Sequence, residues 1–507
     1  MSFLFGKLCS LLLQEYFGET VEKVGVDLFR CGPKPLRLIS NTTKLTVKEV
    51  AQSLTLLINF GLVTFETGKD SFVAEYKLNP QKILLLLRYP KYLMLMKNHY
   101  GNEAEIIVEE ILKHGRDTTS CILLRSLKRV TSEIPEDEKS IKLQRIRDIF
   151  EMLINKQYIK RSPKVTKKKC VPELEPDEQN MFKLPKIDMP KLYEAFIKNL
   201  PVTTVDIFWE INFDRFHQDM RDDLMILSTA RKINAISGEI MHFILQQMYL
   251  ISNPHAPVSN PILVSELKDM CSRSKADSNI TNHLEDYLAI MTEDYGGFLT
   301  KSKSLSAAYE VNLKTAIIEF TWCVLANSVD AKFGPNAARI FRLIREQEFI
   351  EQDEIQKKAM LPDKEAKFLT YSLLQSGWIQ QHELKKNIQK AGPTKTFYLF
   401  YIDFEQVIRM CVEACYKSLY NIITLREQEK IDNKCLLEKK QRIDAIILHM
   451  RKEGASDEQV SEIEEMVTPP ELALLEKIHL NVNKVSQAEL QIDETLFILQ
   501  LYLNFKG

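Results

Sequence analysis

The chain has 507 residues, of which 45% are hydrophobic and 27% charged. That is enough for roughly three or four compact units with ordinary cores. Lys plus Arg number 68 and Asp plus Glu 69, a formal charge of -1. This balance argues against a protein that grips duplex DNA unaided, because phosphate neutralisation supplies most such affinity. A nucleic-acid role has to be local, weak or shared with a partner.

The nine cysteines are odd in number and form no Cys-x-x-Cys pair. Neither a disulfide framework nor a zinc ribbon is indicated, and the expectation is reduced thiols in cytosol or nucleus. The opening MSFLFGKLCSLLLQEYFGE is apolar but interrupted by Lys7, Gln14 and Glu15, with no small-residue cleavage site after it, so a signal peptide is not expected. No run approaches the ~18 apolar residues that span a bilayer, and Ile83 to Leu87 is far too short.

The first module runs from residue 1 to 98. Leu8, Leu11, Leu12, Tyr16 and Phe17 fit one helical stripe. Glu19 to Arg30 gives a second helix, stopped by Cys31-Gly32-Pro33. Thr46 with Glu49 reads as a capping box ahead of an apolar face of Val47, Val50, Ala51, Leu54, Leu57 and Ile58. Gly61 is placed to cap that helix, Leu62 to Phe65 switches to strand chemistry, Gly68 turns, and Phe72 to Tyr76 returns as a second strand. Helices followed by a two-stranded ribbon make the winged-helix pattern, a helix-turn-helix variant.

The same punctuation recurs. Leu57-Ile58-Asn59-Phe60-Gly61-Leu62-Val63 has counterparts in Leu153-Ile154-Asn155-Lys156-Gln157-Tyr158-Ile159 and Leu373-Leu374-Gln375-Ser376-Gly377-Trp378-Ile379. A looser copy spans Ile290 to Leu299, with its turn at Gly296-Gly297. Such self-similarity points to tandem copies of one unit. The reading is mainly α with small β wings: winged helices at 1–98, 99–161, 202–328 and 329–403. A proline-rich linker with a basic start lies at 162–201. The chain ends in a coiled-coil helical hairpin at 404–507. In that last segment Phe404, Ile408, Cys411, Cys415, Leu419 and Ile422 form a seam, continued by Leu436, Ile443, Ile447 and Met450. Gly454 stops it, Ser456 with Gln459 forms another capping box, and Thr468-Pro469-Pro470-Glu471 starts the returning helix. The seam either packs a core or presents a surface to a partner; Leu436, Ile443, Ile447 and Met450 are the docking candidates.

Catalytic motifs do not survive scrutiny. Gly61 and Gly68-Lys69 match a phosphate loop only by chance, with Asp70 where Ser or Thr is required. Asp219, Asp222 and Asp223 gather near His217, but Arg215 and Arg221 lie close enough to pair with them, and the expected reading is a solvated helix face rather than a two-metal site. The nine histidines show no His-x-x-x-His, so neither a metal nor a cofactor is expected. Two features suit nucleic acid. One is the basic run of Lys160, Arg161, Lys164, Lys167, Lys168 and Lys169, which can contact phosphates, signal nuclear import or remain solvated. The other is the recognition helix of the first module. Its outward positions read as Lys48, Glu49, Gln52, Ser53 and Thr55, a poor base reader. Glancing phosphate contacts from Lys44, Lys48 or wing residue Lys69 remain.

Long strings in this sequence resemble one family. KLCSLLLQEYFGETVEKVGVDLFR, LLRYPKY, NFDRFHQDMRD, ARIFRLIREQEFIEQ and KTFYLFYID occur in order, followed by ACYKSLYNIITLREQEKIDNKCLLEKKQRIDAII and IEEMVTPPELALLEKI. They are similar, along essentially the whole chain, to the third-largest subunit of DNA-directed RNA polymerase III, the largest member of its initiation heterotrimer. The resemblance implies four extended winged helices packed around a C-terminal coiled coil, a fold similar to the large subunit of the general factor TFIIE. It implies no active site. It also implies a scaffold that joins two smaller subunits at the clamp of the largest, engages a promoter-bound initiation factor and helps open DNA for small RNAs such as tRNA and 5S rRNA, in the nucleus and away from membranes. Relatives often carry a longer linker insertion; here KRSPKVTKKK and an acidic, proline-bearing stretch remain, which leaves the linker little with which to carry a DNA or import role alone. The competing classes are a free-standing winged-helix transcription factor, a scaffold subunit of another nuclear assembly and, least favoured, an enzyme.

Overall fold

The computed structural model describes residues 2–68, 73–130, 136–166, 171–175, 177–198, 207–248, 256–273, 283–294, 296–302, 308–385, 396–452, 463 and 466–506. They form two compact units, Phe3–Pro254 and His255–Gly507. The chain is mainly α, and its small sheets follow one rule. The sheet of Lys34–Pro35, Val63–Thr67 and Ala74–Leu78 is antiparallel, with the third of these strands in the middle. The same order recurs in Asp117–Thr118, Ile159–Arg161 and Phe208–Ile211; in Ile262–Leu263, Leu299–Lys301 and Ala308–Val311; and in Ile350–Glu351, Gln380–Lys385 and Thr396–Tyr401. Four copies of one topology are the repeat that the sequence punctuation indicates.

Local chemistry explains why each copy forms. In the first, the Thr46 side chain accepts from the amide of Glu49, and the Glu49 carboxylate takes the Thr46 amide at 2.9 Å, so both ends of the capping box are made. Val50, Leu54 and Leu57 are buried beneath the helix Val47–Asn59, whereas Val47 stays exposed. The helix ends in a tight turn: Gly61 N–H donates to the Ile58 carbonyl and Leu62 N–H to the Leu57 carbonyl, both at 2.9 Å. Gly61 sits at φ +69°, the left-handed region where glycine carries no Cβ penalty. The fourth copy repeats this turn, with Gly377 and Trp378 N–H donating to the Leu374 and Leu373 carbonyls. The second copy makes it with Gln157 at φ 67°.

A second device is shared by three of the four modules; the third joins its helices Phe213–Lys232 and Ala235–Met248 through Ile233 and Asn234. Helix Phe3–Phe17 meets Glu19–Cys31 at Gly18, Leu85–Tyr100 meets Asn102–His114 at Gly101, and Leu313–Phe333 meets Pro335–Gln347 at Gly334. These three glycines have φ 89°, 87° and 88° with ψ near 180°. Nothing lies within 4 Å of a Cβ built on any of them. The requirement is therefore conformational: this backbone region is essentially closed to other residues.

The second module departs from the sequence expectation. Its central strand, Phe208–Ile211, pairs with both Asp117–Thr118 and Ile159–Arg161. The stretch 162–201, read from sequence as a linker, therefore lies between the second and third strands of this module as its wing. It carries a two-stranded ribbon of Lys164–Thr166 with Glu173–Glu175 and a helix, Met189–Ile197. Prolines without apolar periodicity look like a linker, and loop-closure cost grows slowly enough with length for a wing to hold them. Trp209 fills the core of this module, edge-on to Phe150, with its indole N–H donating to Thr119 Oγ1 at 2.7 Å. Tyr92 and Met96 belong to the same core, so the LLRYPKY helix packs into the second module.

In the second unit, helix Phe404–Asp432 packs along Pro469–Lys506, which at 1.5 Å per residue is about 57 Å long. A shorter helix, Lys434–Lys452, lies between them in sequence. Thr468 N–H donates to Glu471 at 2.9 Å at the start of the returning helix, as its Thr-Pro-Pro-Glu signature requires. Gly454 and the Ser456–Gln459 box lie outside the described residues. Trp322 stacks on Phe404 with ring centroids 4.3 Å apart, and Phe404 meets Tyr502 edge-on at 4.9 Å, fixing the base of the hairpin on helix Leu313–Phe333.

Candidate nucleic-acid and partner interfaces

The four third helices share a backbone but not a surface. On Val47–Asn59, Lys48, Glu49, Gln52, Thr55 and Leu56 are exposed. Ser53, expected outside, is buried, because it follows Val50 and precedes Leu57 on the core side. Glu49 is held below its ordinary value, first by the Thr46 amide and then by the Thr46 hydroxyl, so its charge stays at the helix start where phosphate would approach. The second module exposes Ile141, Gln144 and Arg145, and Arg145 is drawn to Glu103 at 3.2 Å. The third exposes Glu285, Asp286 and Ile290, an acidic face that repels phosphate. The fourth exposes Lys364, Lys367, Phe368 and Tyr371, with Phe368 71% accessible.

The basic candidates scatter. Lys44 is exposed in a left-handed conformation after helix Leu36–Thr43, and Lys48 is the second residue of the next helix. Lys160 Nζ lies 3.7 Å from Glu210 Oε1, and the same carboxylate takes Arg116 Nε at 2.8 Å. Arg161 lies over the Trp209 ring at 5.6 Å and donates to the Lys183 carbonyl. Lys164 pairs with Asp177 at 2.9 Å. Lys69, Lys167, Lys168 and Lys169 lie outside the described residues. Each described cation in the basic run thus has an internal partner, and Lys160 shares its carboxylate with Arg116.

The aspartate cluster is a solvated face only at Asp223, which is exposed; the rest is buried. Arg215, Asp219, Arg221 and Asp222 are all less than 10% accessible. Arg215 pairs with Asp219 at 2.7 Å and Arg221 with Asp222 at 2.7 Å. The Tyr158 hydroxyl donates to Asp219, and the Arg215 guanidinium lies over the Tyr158 ring. Burial pushes Asp222 up to about 6, against the opposing charge and hydrogen bond of Arg221. Burial likewise raises Asp219 against Arg215. Arg215 and Asp219 pair across one helical turn under Tyr158, whereas Arg221 pairs with its neighbour Asp222. Among the described residues no three His, Cys, Asp or Glu side chains gather to hold a metal ion. Cys9, Cys31, Cys121, Cys271, Cys323, Cys411, Cys415 and Cys435 are free thiols, and no described helix is long and apolar enough to cross a membrane.

The hairpin sorts its apolar residues. Ile443 and Ile447 are buried with Val467 and Leu475, and Leu436 packs against them. Met450 is half-buried. Ile443 and Ile447 therefore hold the hairpin together instead of facing outward. The outward apolar residues are others: Ile446, Leu448, Leu472, Leu474 and Leu480, each more than 40% accessible. Ile446, Leu448, Leu474 and Leu480 sit off the seam, so a search for the strongest heptad passes over them, whereas Leu472 has the spacing of the seam with Leu475 and Ile478 and is nevertheless exposed in the first turn of its helix.

Four winged-helix sheets and a helical hairpin, with divergent outer faces, define a tandem winged-helix scaffold. Family models match it piecewise: an RNA polymerase III subunit RPC82 helix-turn-helix domain at 7–67, RNA polymerase III subunit RPC82 at 137–319, a C-terminal winged-helix domain of POLR3C at 325–402, and the helical hairpin domain of RNA polymerase III subunit RPC3 at 435–498. The chain is 35% identical to DNA-directed RNA polymerase III subunit RPC3 of Rattus norvegicus over 527 residues and to that of Homo sapiens over 529, each alignment covering 98% of both chains. Identity to the Danio rerio protein is 33%, again over 98% of both chains. The chain belongs to the RNA polymerase III subunit RPC3 family, an auxiliary and non-catalytic subunit of that enzyme.

Proposed function

We propose that the chain is the scaffold of an initiation heterotrimer in RNA polymerase III, joining two smaller subunits to the clamp of the largest in the nucleus. In this role it helps the enzyme engage a promoter-bound initiation factor and open DNA for small transcripts such as tRNA and 5S rRNA. The observation that carries the reading is collinearity: the match runs over 98% of this chain and of the relatives, with the hairpin and the wings all in place. Partner contact falls to the exposed apolar residues of the hairpin, because aromatic and aliphatic side chains left in water are the usual anchors of interfaces. DNA contact falls to Lys44, Lys48 and Lys160, weak and sequence-independent, since no third helix presents a set of base-reading side chains. The acidic face of the third module and the formal charge of -1 disfavour a free-standing, sequence-specific factor.

The test is a tagged purification from nuclear extract with every co-purifying protein identified by mass spectrometry. Recovery of the full RNA polymerase III set in equal amounts supports the reading. Recovery alone, or with an unrelated assembly, overturns it.

A further inference from the structure

Three cations of the first unit converge from distant parts of the sequence. Lys82 comes from the short helix Pro80–Ile83, Arg116 from the residue before strand Asp117–Thr118, and Lys160 from strand Ile159–Arg161. Arg116 and Lys160 both approach the Glu210 carboxylate, at 2.8 and 3.7 Å. The Lys82 ammonium and the Arg116 guanidinium flank a point beside Gly61: a Cβ placed there would lie 3.7 Å from Lys82 Nζ and 4.0 Å from Arg116 Nη2. The turn that carries Gly61 is fixed against the second module, since Asn59 Nδ2 donates to the His114 carbonyl at 2.6 Å. A Cβ on Gly115 would meet the Asn59 carbonyl oxygen at 2.7 Å, so the two backbones touch.

The charges do not balance. Glu210 and, more weakly, Asp214 are the carboxylates that act on Lys82; Arg116 and Lys160 oppose them. Three cations against two carboxylates leave one positive charge. The Lys82 ammonium is held below its ordinary value, foremost by desolvation; Glu210 works against this, and Lys160 and Arg116 add to it. Lys82 is exposed beside Gly61 and among cations, where an anion in solution can reach it.

We propose that Lys82, Arg116 and Lys160 form a single phosphate-binding notch, shaped by Gly61, that takes one phosphodiester of a nucleic-acid backbone. A phosphodiester carries one negative charge, which matches the excess, and its two free oxygens accept from ammonium and guanidinium donors together. No base-reading side chain belongs to the notch, so it recognises backbone and not sequence. The assignment rests on the chain's reading as a DNA-contacting polymerase subunit.

The experiment uses the full chain and a fluorescein-labelled 25-base-pair duplex, with affinity followed by anisotropy across a series of KCl concentrations. Lys82→Gln is expected to lower the slope of log K against log salt by about 0.9, the value of one phosphate contact on duplex DNA. Gly61→Asn is expected to do the same, because asparagine tolerates the left-handed backbone while its amide fills the notch. Lys164→Gln, at a lysine paired with Asp177, is expected to leave the slope unchanged. An unchanged slope in both Lys82→Gln and Gly61→Asn overturns the notch. Inorganic pyrophosphate at matched ionic strength is expected to displace the duplex poorly; displacement at micromolar pyrophosphate would make the notch a free-anion site and overturn the assignment. Co-purification of polymerase subunits, read on the same variants, is expected to stay intact. Its loss with an unchanged slope assigns the cluster to a protein contact instead. Failure of the unsubstituted chain to recover the polymerase counts against the scaffold reading and leaves the slope comparison standing.

Discussion

Gln157 occupies a turn position that its three counterparts, Gly61, Gly297 and Gly377, fill with glycine, and that difference gives a direct test of the repeat. Its φ is 67°, against 69° at Gly61 and 77° at Gly377. An L-residue in this region carries about 1–2 kcal/mol of strain. Replacing Gln157 with glycine removes the strain but adds freedom to the unfolded chain, which offsets about 0.5–1 kcal/mol. The Asn212 amide donates to the Gln157 carbonyl at 2.8 Å, a backbone contact that glycine keeps. The net expectation is a gain of about 0.5–1 kcal/mol, which in a unit of this size raises its melting temperature by about 1–4 °C. The converse, Gly377→Gln, is expected to lose a similar amount. A Cβ there meets Met410 Sδ at 3.5 Å, an ordinary contact, so no steric cost is added. The two positions lie in different compact units, and hydrogen exchange on the flanking helices assigns each shift to its unit. Calorimetry showing Gln157→Gly neutral or destabilising would refute the argument that this turn is strained by its side chain.

Asp219→Ala removes the carboxylate that Arg215 and Tyr158 share in a buried site; a loss of about 3–5 kcal/mol is expected by urea denaturation, and less than about 1 would mean water already reaches the pair. In the hairpin, Ile447→Ala is expected to cost about 2–4 kcal/mol of stability by emptying its place beside Val467 and Leu475. Leu448→Asp, on the exposed side, is expected to leave melting unchanged and reduce recovery of polymerase subunits; the opposite pattern removes the proposed docking face. Glu471 is depressed to about 2, first by Lys439 and then by the Thr468 amide. A depressed carboxylate stabilises the fold fully above its ordinary value of 4.5 and loses this as pH falls through about 2, so protection factors for hydrogen exchange at the start of the returning helix, corrected for the intrinsic rate, are expected to fall on acidification, and Glu471→Gln to abolish the difference.

Local signals were readable in the sequence wherever one residue type does one physical job. The Thr46–Glu49 box, the glycine turns and the Thr-Pro-Pro-Glu start all appear where their chemistry places them. Pairing between distant segments was not readable. Nothing in Phe208–Ile211 announces that it inserts between strands some 50 to 90 residues earlier, because strand propensity says nothing about partner choice. The joint glycines Gly18, Gly101 and Gly334 were present as Phe-Gly-Glu, Tyr-Gly-Asn and Phe-Gly-Pro. They escape a search keyed to helix ends because each sits between two helices. Lys82 and Arg116 escape any charge-run search, being single basic residues that the packing of two modules brings to Lys160. The buried aspartates mislead for a related reason: an Asp and Arg one turn apart look the same in sequence whether water or Trp209's module covers them.

The contrast between constant turns and variable faces explains how a neutral chain can be built from a fold suited to DNA. Winged-helix packing needs the tight turn, the central third strand and an apolar side to each helix. Those constraints are met in every copy, by residues such as Leu57, Leu153 and Leu373 that are fully buried. They leave the outer side of the third helix free. One copy spends it on a capping glutamate, another on acids, another on Phe368 and Tyr371. Phosphate affinity must then come from places where packing itself gathers cations. The seam between the first two modules is such a place. A basic surface everywhere would bind DNA without regard to the enzyme's position. One notch on a neutral scaffold contributes only when the rest of the assembly has already brought DNA to it.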